Sequence, residues 1–406
     1  GDEDGIWLVT RYDDVHAALQ DDRLLKNRQT AMTPEQLARR PWEPSMFGAL
    51  GHSMLVSDPP DHTRLRALVS RGFVPRIIGR LRERIQTLCD ALLDSIEARG
   101  DGVFDLVADY AEPLPSTITS QLLGFPQEDL HRWSQIYLAD QPETPLEGMR
   151  EMWKFMSYCR ELFEQRRREP QDDLLSAFVQ SQGTDQGLND DELISMAALL
   201  FEAGHVTTVN LISSGMLALF DHPDQLALLQ RQPELIGSAV EELLRFTNPL
   251  DLAPDRYPRE DITIGGVTIP RGEPVLLVLG AANHDERKFA DPDRLDITRT
   301  PNDHLAFGWG RHFCLGAGLA RLETQPVQGP SEAARQFMRP FEYINNEAAR
   351  INDTAQAAKA DGKEMTPGEM VSMTVRCQEF MFHCQLVSNI ANRTSDGIQQ
   401  LFRQQS

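Results

Sequence analysis

The sequence predicts a mainly α-helical fold with a small β component, followed by a helical segment of different character at the C-terminus. Three observations carry this. Between residues 77 and 220 apolar residues recur at helical spacing in long runs, broken only by "GFPQED", "QPETPLEG" and "SQGTDQGLNDDE". Between residues 251 and 278 the period drops to two in "DITIGGVTIPRGEPVLLVL", with Gly-Gly and Pro-Arg-Gly at the turns. From Gln325 onward the charge balance changes: this part holds 8 of the chain's 40 Lys/Arg and 9 of its 61 Asp/Glu, so the net charge of −21 lies almost wholly in front of it.

In chain order, "GIWLVTRYDDVHAALQDDRLL" reads as a short strand, a turn and an amphipathic helix from about Asp13. A loop rich in Pro, Met and Gly follows over 32–57. "DPPDHTRLRALVSRGF" is a helix opened by Pro59 and Pro60, with Asp58 expected as its cap. The helical run and the small sheet come next, then loops and the glycine-rich stretch "FGWGRHFCLG", which leads into a helix at "LGAGLARLE". Beyond "TQPVQGPSEAAR", Thr366 and Glu369 form a capping box with Pro367 at the first helical position. Met370, Met373, Cys377, Phe380, Cys384, Val387, Ala391, Thr394, Ile398 and Leu401 then keep a 3-4 spacing. That seam suits packing on a partner helix, although a helix docked on its own domain shows it too and is commoner.

Composition narrows the function. The five cysteines are odd in number and lack any CxxC spacing, which argues against a disulfide framework or a Cys-rich zinc site and for a reducing compartment. The acidic balance disfavours nonspecific binding to nucleic acid or anionic membranes. No continuous apolar run reaches the length of a membrane span and no signal peptide is visible, so a cytoplasmic location is the expectation.

The chemistry concentrates at Cys314, which stands with Phe307, Gly308, Gly310, His312 and Gly316 in the order FGxGxHxCxG. A buried structural cysteine does not need so much glycine. Glycines let the backbone bend tightly and approach a flat cofactor, with peptide N–H groups aimed at the sulfur. A thiolate held this way can ligate haem iron, and the positive end of the following helix favours it.

This pattern resembles the cytochrome P-450 family of haem-thiolate monooxygenases, over about residues 5–323. The resemblance implies that family's fold, truncated at both ends, in a domain of residues 1–324, with haem b (iron protoporphyrin IX) bound to Cys314 as metal ligand. "EELLR" matches the family's ExxR pair as Glu242 and Arg245, with Arg294 of "DPDR" as the third member of a structural triad. His62 and Arg66, four apart on one helical face, match haem propionate contacts, as do Arg256 and His312. Phe307, Gly308, Gly316 and Arg311 complete the expected cofactor-binding set.

"AGHVTTVNL" resembles the central helix over the oxygen-binding face, with Thr207 matching the threonine that organises protons and Ala203 and Gly204 leaving room for the ligand. The family places an acid just before that threonine. Here it is Val206, and Glu202, one turn earlier, is the candidate replacement.

The resemblance further implies a small organic substrate of secondary metabolism, hydroxylated or epoxidised, with electrons from a ferredoxin-type donor met through a local basic patch that includes Arg311. Pocket-lining loops are expected at 41–57 and 137–151. Residues 325–406 resemble type III secretion inner-rod proteins, so the chain reads as a chimera, with self-association or secretion-apparatus contact through its last helix. Two other readings stay open: an inner-rod subunit carrying a passenger haem domain, and a haem-binding pseudoenzyme.

Overall fold

The computed structural model describes residues 5–39, 51–100, 104–129, 145–184 and 187–325. The C-terminal segment and its seam lie outside them. The expected strand–turn–helix opening is present as β1 (Trp7–Val9) and α1 (Tyr12–Gln20), followed by β2 (Leu24–Leu25). Helix α2 (Asp61–Ser70) begins where Pro59 and Pro60 predict. Its cap differs from expectation. The Asp58 carbonyl accepts the His62 N–H at 3.0 Å, whereas the Asp58 carboxylate turns away to the backbone of Lys26 and Asn27.

Paired helices build the body. α3 (Pro75–Arg99) starts with proline at its first turn and stops at Gly100, whose φ of 67° a side chain would resist. α4 (Pro113–Leu123) ends likewise at Gly124, φ 93°. A short π-helical stretch, Val107–Ala111, leads into it. α5 (Pro145–Arg168) and α6 (Leu174–Ser181) pack together, the Asp173 side chain capping α6 by accepting the Ser176 N–H at 2.7 Å.

The central helix comes in two pieces, α7 (Asp190–Ala203) and α8 (Val206–Asp221). A capping box between Asn189 and Glu192 starts α7, and residues Leu193 to Phe201 are buried without interruption. By length and composition, Asp190–Asp221 is long and apolar enough to cross a membrane. The sequence reading overlooked this because Glu202, His205 and Asn210 interrupt the run. In the fold it is a core element: Leu193–Phe201 pack on Leu65, Leu68, Phe155, Leu162 and Phe178 from three other helices.

α9 (Ile236–Thr247) carries the ExxR pair. The small sheet between 251 and 278 is three two-stranded pieces. β3 (Tyr257–Pro258) pairs antiparallel with β2; β4 (Ile262–Ile264) pairs with β5 (Val267–Ile269); β6 (Val275–Leu277) pairs in parallel with β1. The Gly265–Gly266 turn of the β4–β5 hairpin has φ positive at both residues, 57° and 83°, the geometry that matches strand twist. The β1–β6 pairing joins residues some 270 positions apart and encloses a second core with α1. The last described helix, α10 (Ala317–Glu323), packs on α3.

Candidate active site

The cysteine loop folds on its own backbone. Gly308 N–H donates to Leu305 O at 2.8 Å, Phe313 N–H to Gly310 O at 3.0 Å, and Cys314 N–H to Phe307 O at 2.9 Å. Gly308 and Gly310 sit at φ 67° and 74°, which only glycine adopts without strain. At Gly310 space is also short: a Cβ would come within 3.2 Å of Leu19 O and of the Gln20 side chain. Burial pushes the Cys314 thiol up, opposed by the Gly316 and Ala317 N–H groups at the sulfur and by the Arg66 and Arg321 guanidinium groups. The sulfur is thus a buried acceptor with backbone donors and cations around it.

Basic side chains from four separate segments converge at this loop. His62 is buried, its ring centroid 4.2 Å from that of His312. Arg66 donates to Phe313 O at 2.7 Å, tying α2 to the residue before the cysteine. Arg311 pairs with Asp22 at the rim. Burial, with Arg66 and Arg311 nearby, holds His62 down at about 4; burial and the charges of His62, Lys26, Arg256 and Arg311 hold His312 at about 2. Arg256 is lowered to about 10, chiefly by burial.

Among the described residues, the buried His62 Nε2 and Arg256 Nε have no hydrogen-bond partner. Buried donors without partners cost free energy, and buried cations require an anion. A cavity of about 570 Å³, lined in part by His62, Arg66 and Arg311, opens alongside. The donor set fits a cofactor that carries carboxylates at its edge, as haem does. Lys26 was not singled out from sequence.

On the central helix, Thr207 Oγ1 donates to Ala203 O across the break at a long 3.4 Å. Ala203 is exposed, and Glu202, Val206 and Thr207 are half-buried. Gly204 does not leave room for a ligand. A Cβ there would lie 2.7 Å from Thr119 Cγ2, and Thr119 Oγ1 donates to Gly204 O at 2.8 Å, so this glycine admits α4 against the helix break. His205 is buried, its Nδ1 on Phe201 O at 2.8 Å and its ring edge-on to Phe201, which commits it to the core.

The expected triad forms with one substitution. Glu242 accepts Arg245 Nε at 2.8 Å and Nη2 at 2.9 Å, both side chains fully buried. The third arginine is Arg299, not Arg294: Arg299 Nε donates to Glu242 at 3.0 and 3.1 Å, while Arg294 offers only its carbonyl, to Arg245 and Arg299. The turn at Asp291, φ 46°, brings the Arg294 backbone to the site, and the chain must run five residues further before a guanidinium reaches Glu242.

Asn302 and the Asp296 N–H fill the remaining acceptor capacity of Glu242 at 3.1 and 3.0 Å, which is what lets a buried carboxylate repay its desolvation. Sequence reasoning also missed the neighbouring clamp. Although burial pushes Glu241 up, Arg321 at 2.5 and 2.8 Å and His304 at 3.0 Å hold it down at about 2. Arg321 also lies 4.6 Å over the Phe307 ring. One helix, α9, therefore anchors both the segment before the cysteine loop and the helix after it. Of the expected pocket-lining loops, residues 41–50 and 137–144 lie outside the described residues.

The family model for cytochrome P450 matches residues 5–327. The chain is 46% identical over 328 residues to a vitamin D(3) 25-hydroxylase of Pseudonocardia autotrophica, covering 80% of this chain and 79% of that protein. It is 42% identical to a mycinamicin IV hydroxylase/epoxidase of Micromonospora griseorubida, covering 79% of each. Among solved structures, a myxobacterial cytochrome P450, CYP267B1, crystallised with myristic acid, superposes with a TM-score of 0.73 at 42% identity over 82% of both chains. The chain belongs to the cytochrome P450 family, whose members bind haem b through a cysteine thiolate, and it is a haem-thiolate monooxygenase.

Proposed function

We propose that Cys314 is the thiolate ligand and that His62, Arg66, Arg256 and His312 hold the haem propionates, with Arg311 at the rim. Haem b held this way supplies dioxygen activation and transfer of one oxygen atom to a substrate C–H or C=C bond, with two electrons and two protons consumed and water released. The chain's part is to hold the ligand, charge and protons in place. The Gly316 and Ala317 N–H groups moderate the negative charge on sulfur. Thr207 Oγ1 is the proton-handling group, resting on Ala203 O between transfers. Val206 has no proton to give. The Glu202 carboxyl group, at the end of α7 just before the break, is the acid we assign to resupply Thr207 at the start of α8.

The observation that carries this reading is the pairing of a buried sulfur under two N–H donors with two buried nitrogens without hydrogen-bond partners beside it, one on the His62 imidazole and one on the Arg256 guanidinium. Relatives named for hydroxylating vitamin D3 and for oxidising mycinamicin IV support a bulky, largely apolar secondary metabolite as substrate. We assign the electrons to a ferredoxin-type donor and the enzyme to the cytoplasm. Reconstitution with a ferredoxin, its reductase and NADPH, using a macrolide and a secosteroid as probes, tests this. The expected result is a Soret shift on binding and a product heavier by one oxygen atom. A haem-loaded chain that yields only peroxide with every probe would instead be a haem-binding pseudoenzyme.

Residues 325–406 we read as a second unit, inner-rod-like, that associates through its apolar seam with copies of itself or with a secretion apparatus. The family match ending at residue 327 supports a boundary there. Limited proteolysis should cut between 324 and 363 before it cuts the haem domain. A resistant, strictly monomeric chain would defeat the two-unit reading.

A further inference from the structure

Lys26 lies opposite Arg256 where β2 runs out against β3, since the register pairs Leu25 with Tyr257. Its side chain is buried, and its ammonium donates to Pro254 O at 2.5 Å and Asp255 O at 3.2 Å, the two residues that precede Arg256. Its backbone N–H donates to the Asp58 carboxylate at 3.0 and 3.1 Å, and the next N–H, of Asn27, does so at 2.9 Å. The Asp58 carbonyl in turn accepts His62 N–H at the start of α2. On its other side Arg256 is held by β6, exchanging backbone bonds with Val275 at 3.0 and 2.8 Å. One residue therefore joins the strand that carries Arg256 to the helix that carries His62 and Arg66.

The charge is as unusual as the position. Lys26 and Arg256 are two buried cations placed against each other, and His312 feels both of them together with His62 and Arg311. Asp58 and Asp255 are the carboxylates acting on Lys26, and Asp58 is already engaged by two backbone N–H groups. Burial holds the Lys26 amine well below the usual lysine range. A buried ammonium in such company persists where an anion balances it.

We propose that Lys26 is a positioning residue for the anionic edge of the haem: its ammonium, on the Arg256 segment, and its backbone N–H, on the Asp58 carboxylate, together strap that segment to the loop that starts α2, and its charge contributes to the field that favours added negative charge on the cofactor. This rests on the haem assignment above. It would act through Arg256 and His62 and needs no direct contact with the iron.

Two variants of the full-length holoprotein separate strap from charge. Lys26→Met removes the ammonium end of the strap and a positive charge; Asp58→Asn weakens the strap from its other end and removes a negative charge. Transfer of haem to an excess of apo-globin should quicken by about tenfold in each, the scale of losing hydrogen bonds that involve a charged group. The iron midpoint potential should move in opposite directions, down in Lys26→Met and up in Asp58→Asn, because positive charge favours the reduced cofactor. A merely structural role would not reverse the sign.

A wild-type rate of haem transfer in folded Lys26→Met overturns the proposal, and so do potentials that shift the same way in both variants. If Lys26→Met accumulates without haem, Asp58→Asn decides alone: faster transfer with a raised potential supports the strap, and wild-type behaviour sinks it. A normal thiolate carbon monoxide band in wild type keeps the haem assignment standing whichever way Lys26 falls.

Discussion

The two sides of this site are built differently. On the cysteine side, contacts are redundant: Glu242 is met by two arginines, an asparagine and a backbone N–H, Glu241 clamps the helix after the loop, and Arg66 holds the residue before the ligand. On the central-helix side, Thr207 Oγ1 donates one hydrogen bond of 3.4 Å, the position before it is an aliphatic Val206, and the Thr119 hydroxyl of α4 braces the break at Gly204. Rigidity belongs where the metal ligand must not move. The side that handles protons is held by few contacts, so chemistry there can change without unfolding the protein.

The largest effect expected from this contrast is at Glu242. Glu242→Ala leaves Arg245 and Arg299 without their counter-ion in the interior, a change worth about 3–5 kcal/mol. Urea unfolding and haem content should both collapse in that variant, and Arg299→Ala should be clearly less stable than Arg294→Ala. Equal losses at the two arginines would return the third place in the triad to Arg294.

The second prediction concerns a carboxyl that bridges the two sides. Glu323 of α10 is buried, neither oxygen has a hydrogen-bond partner among the described residues, and Thr208, the neighbour of Thr207, is the hydroxyl nearest to favouring its charge. The Cys89 thiol of α3 is within electrostatic reach of it and is itself bonded to Tyr110 of the π-helical stretch. Burial raises Glu323 to about 8. A carboxyl raised in the folded state binds its proton more tightly there than in the unfolded chain, so stability falls as pH rises from the ordinary glutamate value of about 4.3 and levels off above the raised one. Over that window the loss is a few kcal/mol. Glu323→Gln should abolish the slope and be more stable than wild type at pH 9, while near pH 5 the two should melt alike. A wild-type melting temperature flat between pH 5 and 9 would mean that Glu323 is ionised or solvated.

The smallest effect on stability, though not on chemistry, is expected at Val206. Val206→Glu should change the melting temperature little, since the position is half-buried and no network depends on it. Coupling of electron use to product should rise and peroxide should fall, because general acid assistance is worth about two to four orders of magnitude in rate. Unchanged coupling would show that Glu202 or solvent already supplies the protons.

These contrasts also explain which parts were legible in the sequence. The cysteine loop could be read because each residue in it answers a local demand, positive φ at Gly308 and Gly310 and a donor or ligand at the rest. His62 and Arg66 could be read because helical spacing fixes their shared face. Arg299 could not, since "DPDR" and "DITR" offer equivalent arginines and only the turn at Asp291 decides between them. Gly204 was given the wrong reason because its neighbour Thr119 is 85 residues away. Lys26 sits in "LLKNR", which reads as surface until β3 and Asp58 arrive from distant parts of the chain.

The central claim is that Cys314 is the iron ligand in a site whose other side is free to vary. The carbon monoxide difference spectrum of the reduced protein tests it most directly, comparing wild type with Cys314→Ala, Cys89→Ala and Cys159→Ala. The account predicts a thiolate-type band in wild type and in the Cys89 and Cys159 variants, and its complete loss in Cys314→Ala. A thiolate band that survives in Cys314→Ala would contradict it.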